Sequence, residues 1–265
     1  MPHISFSELK SWNQCAFYHK LTYIDRVSIF KGNEYTAFGK SIHEAYEHST
    51  NCLKDGTDHG NLAKRFEEEF LNELLELKEA GHEFKKELVL QLKEQGKLLA
   101  DLAVPALKEH FEDFEIVKSE ESIYEDIKEY EDNEYKFKGF IDLVIKTPDG
   151  KYHIIDWKTC SWGWDARKRT DPMLGYQLIF YKKYYAEKHN IDPKNIETYF
   201  ALVKRTAKKD NVEIFRVTSG NIKTNNAVKL LKKALYNIDS NLYVKNRTSC
   251  TKGYGCEFYK TEHCK

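Results

Sequence analysis

The apolar positions keep one period early in the chain and another in its middle. From Asn61 to Phe111, leucine and phenylalanine recur three or four residues apart among charged neighbours, as in "RFEEEFLNELLELKEA" and "FKKELVLQLKEQGKLLADLA". That spacing gathers the apolar side chains on one helix face and predicts helices punctuated by Gly81 and Pro105. Upstream, Ser5 and Glu8 have capping-box spacing and predict a helix through about His19, and "AFGKSIHEAYEHS" predicts a second. The period then falls to two. "EIVKSEESIYEDIKEY", "YKFKGFIDLVIK" and "KYHIIDWKT" predict three antiparallel strands. "DPMLGYQLIFYKKYYAEKH" returns to a helix with Pro172 in its first turn, "IETYFALVKR" and "VEIFRVT" predict two more strands, and Gly220 to Asn241 a last helix. This order predicts an α/β fold with a mixed central sheet and flanking helices, the early helices serving as cover or insertion.

Charge narrows the function classes. Lys plus Arg and Asp plus Glu both number 42, so the net charge is zero, and contact with nucleic acid requires a local basic groove. No apolar run approaches the length of a membrane span, and Met1-Pro2-His3 begins no signal peptide, which predicts a soluble, cytoplasmic protein. Six cysteines without a secretory signal point to metal binding or core packing rather than a disulfide scaffold.

The candidate chemistry sits in "HIIDWKTC", where a buried strand ends in Asp156, Trp157 and Lys158. Residues two apart share a strand face, so Asp156 and Lys158 point together and Trp157 points away, to an outward-facing position. The preceding "TPDGK" fits a three-residue hairpin loop with Gly150 in the left-handed bulge position. That loop pairs Thr147 with Lys151 and, counted back along both strands, sets Asp142 opposite Asp156. Two carboxylates pressed together repel, and a divalent cation relieves the cost; oxygen ligands favour Mg²⁺ or Mn²⁺. With the lysine beside them, these groups suit phosphodiester hydrolysis. The competing reading is a surface salt bridge between Asp156 and Lys158.

The sequence Gly139-Phe140-Ile141-Asp142, then Asp156-Trp157-Lys158-Thr159, then Gln177 to Tyr181, resembles the RecB-like branch of the PD-(D/E)XK nuclease superfamily. Trp157 stands where a tyrosine is commoner. Gly39 to His43 resembles the family's histidine motif, and "SFSELKSWNQCAFYHKLTYI" its N-terminal segment. The resemblance implies a restriction-endonuclease-like αβββαβ core within a single nuclease domain. Its parts are N-terminal helices to residue 60, a helical insertion over 61–111, a catalytic core over 112–218, and a helix with a C-terminal cysteine region over 219–265. It further implies that Asp142, Asp156, the Trp157 carbonyl and His43 ligate the metal, and that Lys158 positions or activates the attacking water. Gln177 and Tyr181, one turn apart, would orient the substrate or the lysine. Glu121 is a further carboxylate ligand in this reading, with Glu120 adjacent and the register open.

Iron–sulfur members of the branch, the AddB-type and CRISPR-associated exonucleases, join one N-terminal cysteine to three near the C-terminus. Here these would be Cys15, Cys250, Cys256 and Cys264 around a structural [4Fe–4S] cluster, although five residues separate Cys250 from Cys256 where the family has a tighter pair. A local Zn²⁺ site of Cys250, Cys256, His263 and Cys264 is the alternative. Cys52 and Cys160 fit no ligand pattern. In "SWGWDARKR", Trp162 and Trp164 offer stacking platforms, and Arg167, Lys168 and Arg169 phosphate contacts, for DNA. The expected function is metal-dependent DNA cleavage, as an exonuclease on single-stranded ends, with CRISPR adaptation, DNA recombination, DNA repair and mobile-element replication all open as its pathway. Any unwinding would need a helicase partner. The rivals are a catalytically silent nucleic-acid-binding protein, a zinc-stabilised interaction module, and an endonuclease of the same fold.

Overall fold

The computed structural model describes residues 1–27, 31–130, 134–253 and 255–265. The chain divides into two compact units, one of Met1–Lys31, Ile123–Gly139 and Gly220–Lys265, the other of Gly32–Ser122 and Phe140–Ser219.

In the first unit, a short strand β1 (His3–Ser5) pairs in parallel with Lys136–Lys138, the opening residues of β3 (Lys136–Lys146). The Glu8 N–H donates to Ser5 Oγ at 3.2 Å and caps α1 (Phe6–Gln14). The helix expected to run through His19 breaks at Cys15, whose backbone is extended (φ −163°, ψ 115°), before α2 (Ala16–His19) and a π-turn over Lys20–Ile24. α9 (Asn221–Asp239) ends at Asp239, whose carboxylate accepts from the hydroxyls of Tyr130 and Tyr135 at 2.7 and 2.8 Å.

The second unit holds the sheet and its helical cover. The Asn33 side chain accepts from the N–H groups of Tyr35 and Thr36 and starts α3 (Glu34–Asp55), which Gly56 ends at φ +66°. Residues 61–111 form α4 (Leu62–Glu79), α5 (Lys86–Leu99) and α6 (Ala103–Phe111). Gly81 lies just past α4 at φ +88°, and Pro105 lies in the first turn of α6, where its missing N–H is harmless. α5 approaches α4 closely at Gly96, where an added Cβ would fall 1.9 Å from the Phe66 ring.

The strand after α6, β2 (Glu115–Asp126), stops four residues short of the predicted Tyr130 and pairs with β3. β3 runs antiparallel to β4 (Tyr152–Cys160), β4 parallel to β5 (Ile196–Lys204), and β5 antiparallel to β6 (Val212–Val217). α8 (Pro172–His189), preceded by the single turn α7 (Ala166–Arg169), joins the two parallel strands. The sheet is therefore mixed and flanked by helices, as the sequence predicts.

Both faces of the sheet are covered. Leu143, Ile145, Ile155, Trp157, Tyr199, Ala201 and Val203 share a core with Phe38, Tyr46 and Phe66 from the helices before them. The alternate residues face the other way, with Tyr152 against Tyr185 of α8 at 6.2 Å. Trp157 is thus not outward-facing. It is 2% exposed, its ring edge-on to Tyr46 at 4.9 Å, because the sheet has no solvated face for it.

Candidate active site

The hairpin turn has the predicted chemistry. The Thr147 N–H donates to the Lys151 carbonyl at 3.0 Å, and Gly150 takes φ +84°. The β3–β4 ladder runs from Lys146↔Tyr152 to Leu143↔Ile155, so the next step in register sets Asp142 opposite Asp156. There the ladder ends. Asp142 Oδ2 accepts the Trp157 N–H at 2.8 Å, a carboxylate standing where a strand carbonyl would, while β4 continues along β5 to Cys160.

Charged side chains gather at this opening. His43, on α3, brings Nδ1 to 3.5 Å from Asp142 Oδ2, and Lys158 Nζ lies 2.5 Å from Asp156 Oδ2. Burial pushes the Asp142 carboxyl up, but the His43 imidazole, the Lys158 ammonium and the Trp157 N–H together hold it below the usual carboxylate range. Asp156 is 1% exposed, and burial, with the Asp142 charge adding and Lys158 only partly offsetting, pushes its carboxyl up to about 6. Burial works against the cationic form of Lys158, yet Asp156 and Asp142 outweigh it and raise its pKa, so the ammonium stays charged. In the same way Asp142 overcomes burial and raises the pKa of His43.

A cleft of about 430 Å³ opens beside these groups, its polar lining supplied chiefly by Lys40, His43, Glu47, Glu120 and Asp142. Glu47 follows His43 by one helical turn, a spacing that marks a shared face in the sequence. Burial and the Glu120 carboxyl, which shares a hydrogen bond with it, raise the pKa of Glu47. Glu121 does not reach the cleft. Its carboxylate accepts from Lys188 at 2.7 Å and His189 at 2.8 Å at the end of α8. The cause is local: Glu120 takes a left-handed conformation (φ +49°), and the alternation of buried and exposed residues along β2 shifts phase just before it. Glu120, not Glu121, is the β2 carboxylate that lines the cleft.

On α8, Gln177 Nε2 donates to the Tyr181 hydroxyl at 3.1 Å, and burial together with the Asp156 charge raises the phenol's pKa. The loop after β4 departs from its expected role. Trp164 is 7% exposed and packs on Phe200 and Phe215, so it is a core anchor rather than a stacking platform. Arg169 is committed to Glu213 at 2.6 Å, and Lys168 lies over the Trp164 ring. Trp162 and Arg167 stay exposed.

In the first unit, Cys15, Cys250, Cys256 and Cys264 line one small cavity. The break after α1 sets Cys15 here, and the Asn246 N–H points at its Sγ from 3.3 Å. Burial raises the Cys256 pKa, and the other three thiols add to the effect, so all four lie within electrostatic reach. His263 does not line the cavity; its ring packs edge-on to Phe258.

No three His, Cys, Asp or Glu side chains among the described residues converge as a ready-made metal site. The donors nevertheless suit a hard cation. Among the described residues, Asp156 Oδ2 is buried with the Lys158 ammonium as its one close polar neighbour, which leaves the carboxylate lone pairs to spare for a cation. The cysteine cavity likewise offers four soft donors and no carboxylate.

A sequence model of the PD-(D/E)XK nuclease superfamily matches residues 3–260. Among solved structures, a "Putative exonuclease" from Eubacterium rectale aligns over 94% of this chain and 86% of its own, with a TM-score of 0.58 and 12% identity. This likeness is one of fold. A second structure, SSO0001, aligns over 76% of this chain and 84% of its own at 14% identity, with a TM-score of 0.36. No curated protein matches.

Proposed function

The chain belongs to the PD-(D/E)XK nuclease superfamily, and from that premise we propose that it is a metal-dependent deoxyribonuclease acting from the ends of single strands. The observation that carries this reading is the opening of the β3–β4 ladder, where Asp142, Asp156, Lys158 and His43 meet beside the cleft. Asp142, Asp156, the Trp157 carbonyl and His43 would hold Mg²⁺ or Mn²⁺. A bound cation of this kind supplies Lewis acidity and a nucleophilic hydroxide at neutral pH.

The protein's own groups supply the rest. Lys158, kept protonated by two carboxylates, orients a water or a phosphate oxygen by charge and hydrogen bonding, and is a poor proton acceptor. Gln177 and Tyr181, already bonded to one another, steady that end of the site from α8. The exonuclease reading draws on the name of the Eubacterium rectale neighbour and on the resemblance of the N-terminal and C-terminal segments to iron–sulfur exonucleases. In the first unit, Cys15, Cys250, Cys256 and Cys264 would hold a structural [4Fe–4S] cluster, and the exclusion of His263 from their cavity favours this over a mixed zinc site.

The test is a cleavage assay on end-labelled single strands, linear duplex and closed circles, with Mg²⁺, Mn²⁺ or a chelator. Metal-dependent shortening of linear single strands, with circles spared, is expected. Cut circles would make it an endonuclease, and no cutting of any substrate would favour a binding protein. Iron and acid-labile sulfide, assayed on the same preparation, report on the cluster; zinc without iron would replace it.

A further inference from the structure

Two side chains just past the ends of β4 and β5 remain outside the cleavage chemistry. Trp162 is 80% exposed, whereas Trp12, Trp157 and Trp164 are at most 7% exposed. Leaving a whole indole in water forgoes a large burial gain, and here the loop beneath it is well held. Trp164 anchors the loop on Phe200 at 5.0 Å, and the Thr206 N–H donates to the Ser161 carbonyl at 2.8 Å. Trp162 therefore projects from a fixed base.

Arg205 lies next to it through Ser161, whose Oγ accepts from Nη2 at 3.2 Å. Its other neighbours are neutral: Gln95 Oε1 at 3.4 Å, and the rings of Tyr35 and Phe38, 4.8 and 5.6 Å from the guanidinium. Among the described residues no carboxylate pairs with it, while nearby Lys40, Lys204 and Arg169 each have one. A half-buried guanidinium held by neutral groups keeps donors free for an anion, and its planar fork suits phosphate. Tyr35 precedes His43 by two turns of α3, about 12 Å, and Gly39, between them, faces Thr159 Oγ1. Arg205 thus lies off the Gly39 end of the cleft, and Trp162 follows Lys158 by four residues.

We infer that Trp162 and Arg205 form a nucleotide subsite in which the indole stacks on a base and the guanidinium grips a backbone phosphate. The inference rests on the nuclease reading and sharpens its substrate. Within a duplex every internal base is stacked on both faces and only the end pairs have one free, so the subsite favours an unpaired strand.

The experiment titrates the full-length protein with oligothymidylate, without added divalent metal, following tryptophan fluorescence and, by anisotropy, affinity at several salt concentrations. The expected result is quenching in the parent that Trp162→Phe abolishes, with affinity about tenfold weaker in Trp162→Ala. Arg205→Gln should flatten the log–log salt dependence by about 0.7, and Arg205→Lys should largely restore it. Blunt duplex should quench little. Unchanged quenching and affinity in Trp162→Ala, melting like the parent, would overturn the subsite, as would equal quenching by duplex. Metal-dependent cleavage is assayed in parallel. A parent that cuts DNA while the subsite fails loses only the subsite, and a parent that neither cuts nor binds loses both.

Discussion

The cleft and the cysteine cavity hold functional side chains under opposite rules. In the cleft, opposite charges are paired off, His43 with Asp142 and Lys158 with Asp156, and the pairs survive burial by shifting one another's pKa. In the cavity, four like groups face one another with no carboxylate among them, and burial, with the other three thiols adding, makes Cys256 harder to ionise. The first arrangement is stable as it stands and can exchange partners. The second is neutral as thiols, and thiolates would gather there favourably only around a soft cationic centre. In the function proposed above, the first is the site of chemistry and the second binds its segments together.

The sharpest break between the two is Asp156→Asn. It should lower the cleavage rate by about a thousandfold or more and change the metal-free melting temperature little, because burial outweighs Lys158 and makes the Asp156 charge a net cost, while Asp142 remains beside Lys158 as its counter-charge. A large fall in stability would mean that Asp156 is structural. Cys256→Ser should behave in the reverse way, losing iron and lowering Tm by about 10 °C or more, as loss of a structural metal centre does. Full cluster content in that variant would show that Cys256 is not a ligand.

Within the second unit, Gly96→Ala tests the packing of α4 on α5. The gain in helix propensity is about 1 kcal/mol, but forcing a methyl into the Phe66 ring costs about 1–3 kcal/mol or more. A lower Tm with unchanged cleavage per folded molecule is therefore expected.

The smallest effect separates two adjacent carboxylates. Lys188 and His189 outweigh the burial of Glu121 and hold its pKa below the ordinary value. A depressed carboxyl pKa stabilises the fold above the unfolded value, and that stability is lost as the pH falls through the folded one. Glu121→Gln should therefore lower Tm by about 3 °C at pH 7, with the gap closing in acid and cleavage intact. Glu120→Gln should alter the metal dependence of cleavage and spare Tm. An exchange of these phenotypes would restore Glu121 to the cleft.

Much of the site was legible in the sequence because turns and helical spacing are local. The Pro148, Asp149 and Gly150 loop fixed the register that brings Asp142 towards Asp156, and one-turn spacing linked Gln177 to Tyr181. What escaped depends on non-local or irregular backbone. The left-handed Glu120 shifts which residue of β2 meets the cleft, and nothing in "KSEES" announces it. Strand alternation sets Trp157 on the face opposite Asp156 but does not tell that both faces are covered, so its burial escapes the sequence. Trp164 and Trp162 are two residues apart and chemically alike; only Phe200 and Phe215, brought by β5 and β6, decide which is buried. Glu47 carried a usable signal, one turn past His43, and Arg205 sits in the basic stretch "VKRTAKK", whose charge alone does not set it apart from its neighbours.

The most direct test of the central claim is Mn²⁺ binding measured calorimetrically on the parent, Asp142→Asn and Asp156→Asn, with cleavage of a labelled single strand assayed alongside. The account predicts that each substitution weakens Mn²⁺ binding at least about tenfold and abolishes cleavage while the fold persists. Parent-like binding and cutting in either variant would contradict it, and would return the aspartates to the role of a strand-end salt bridge.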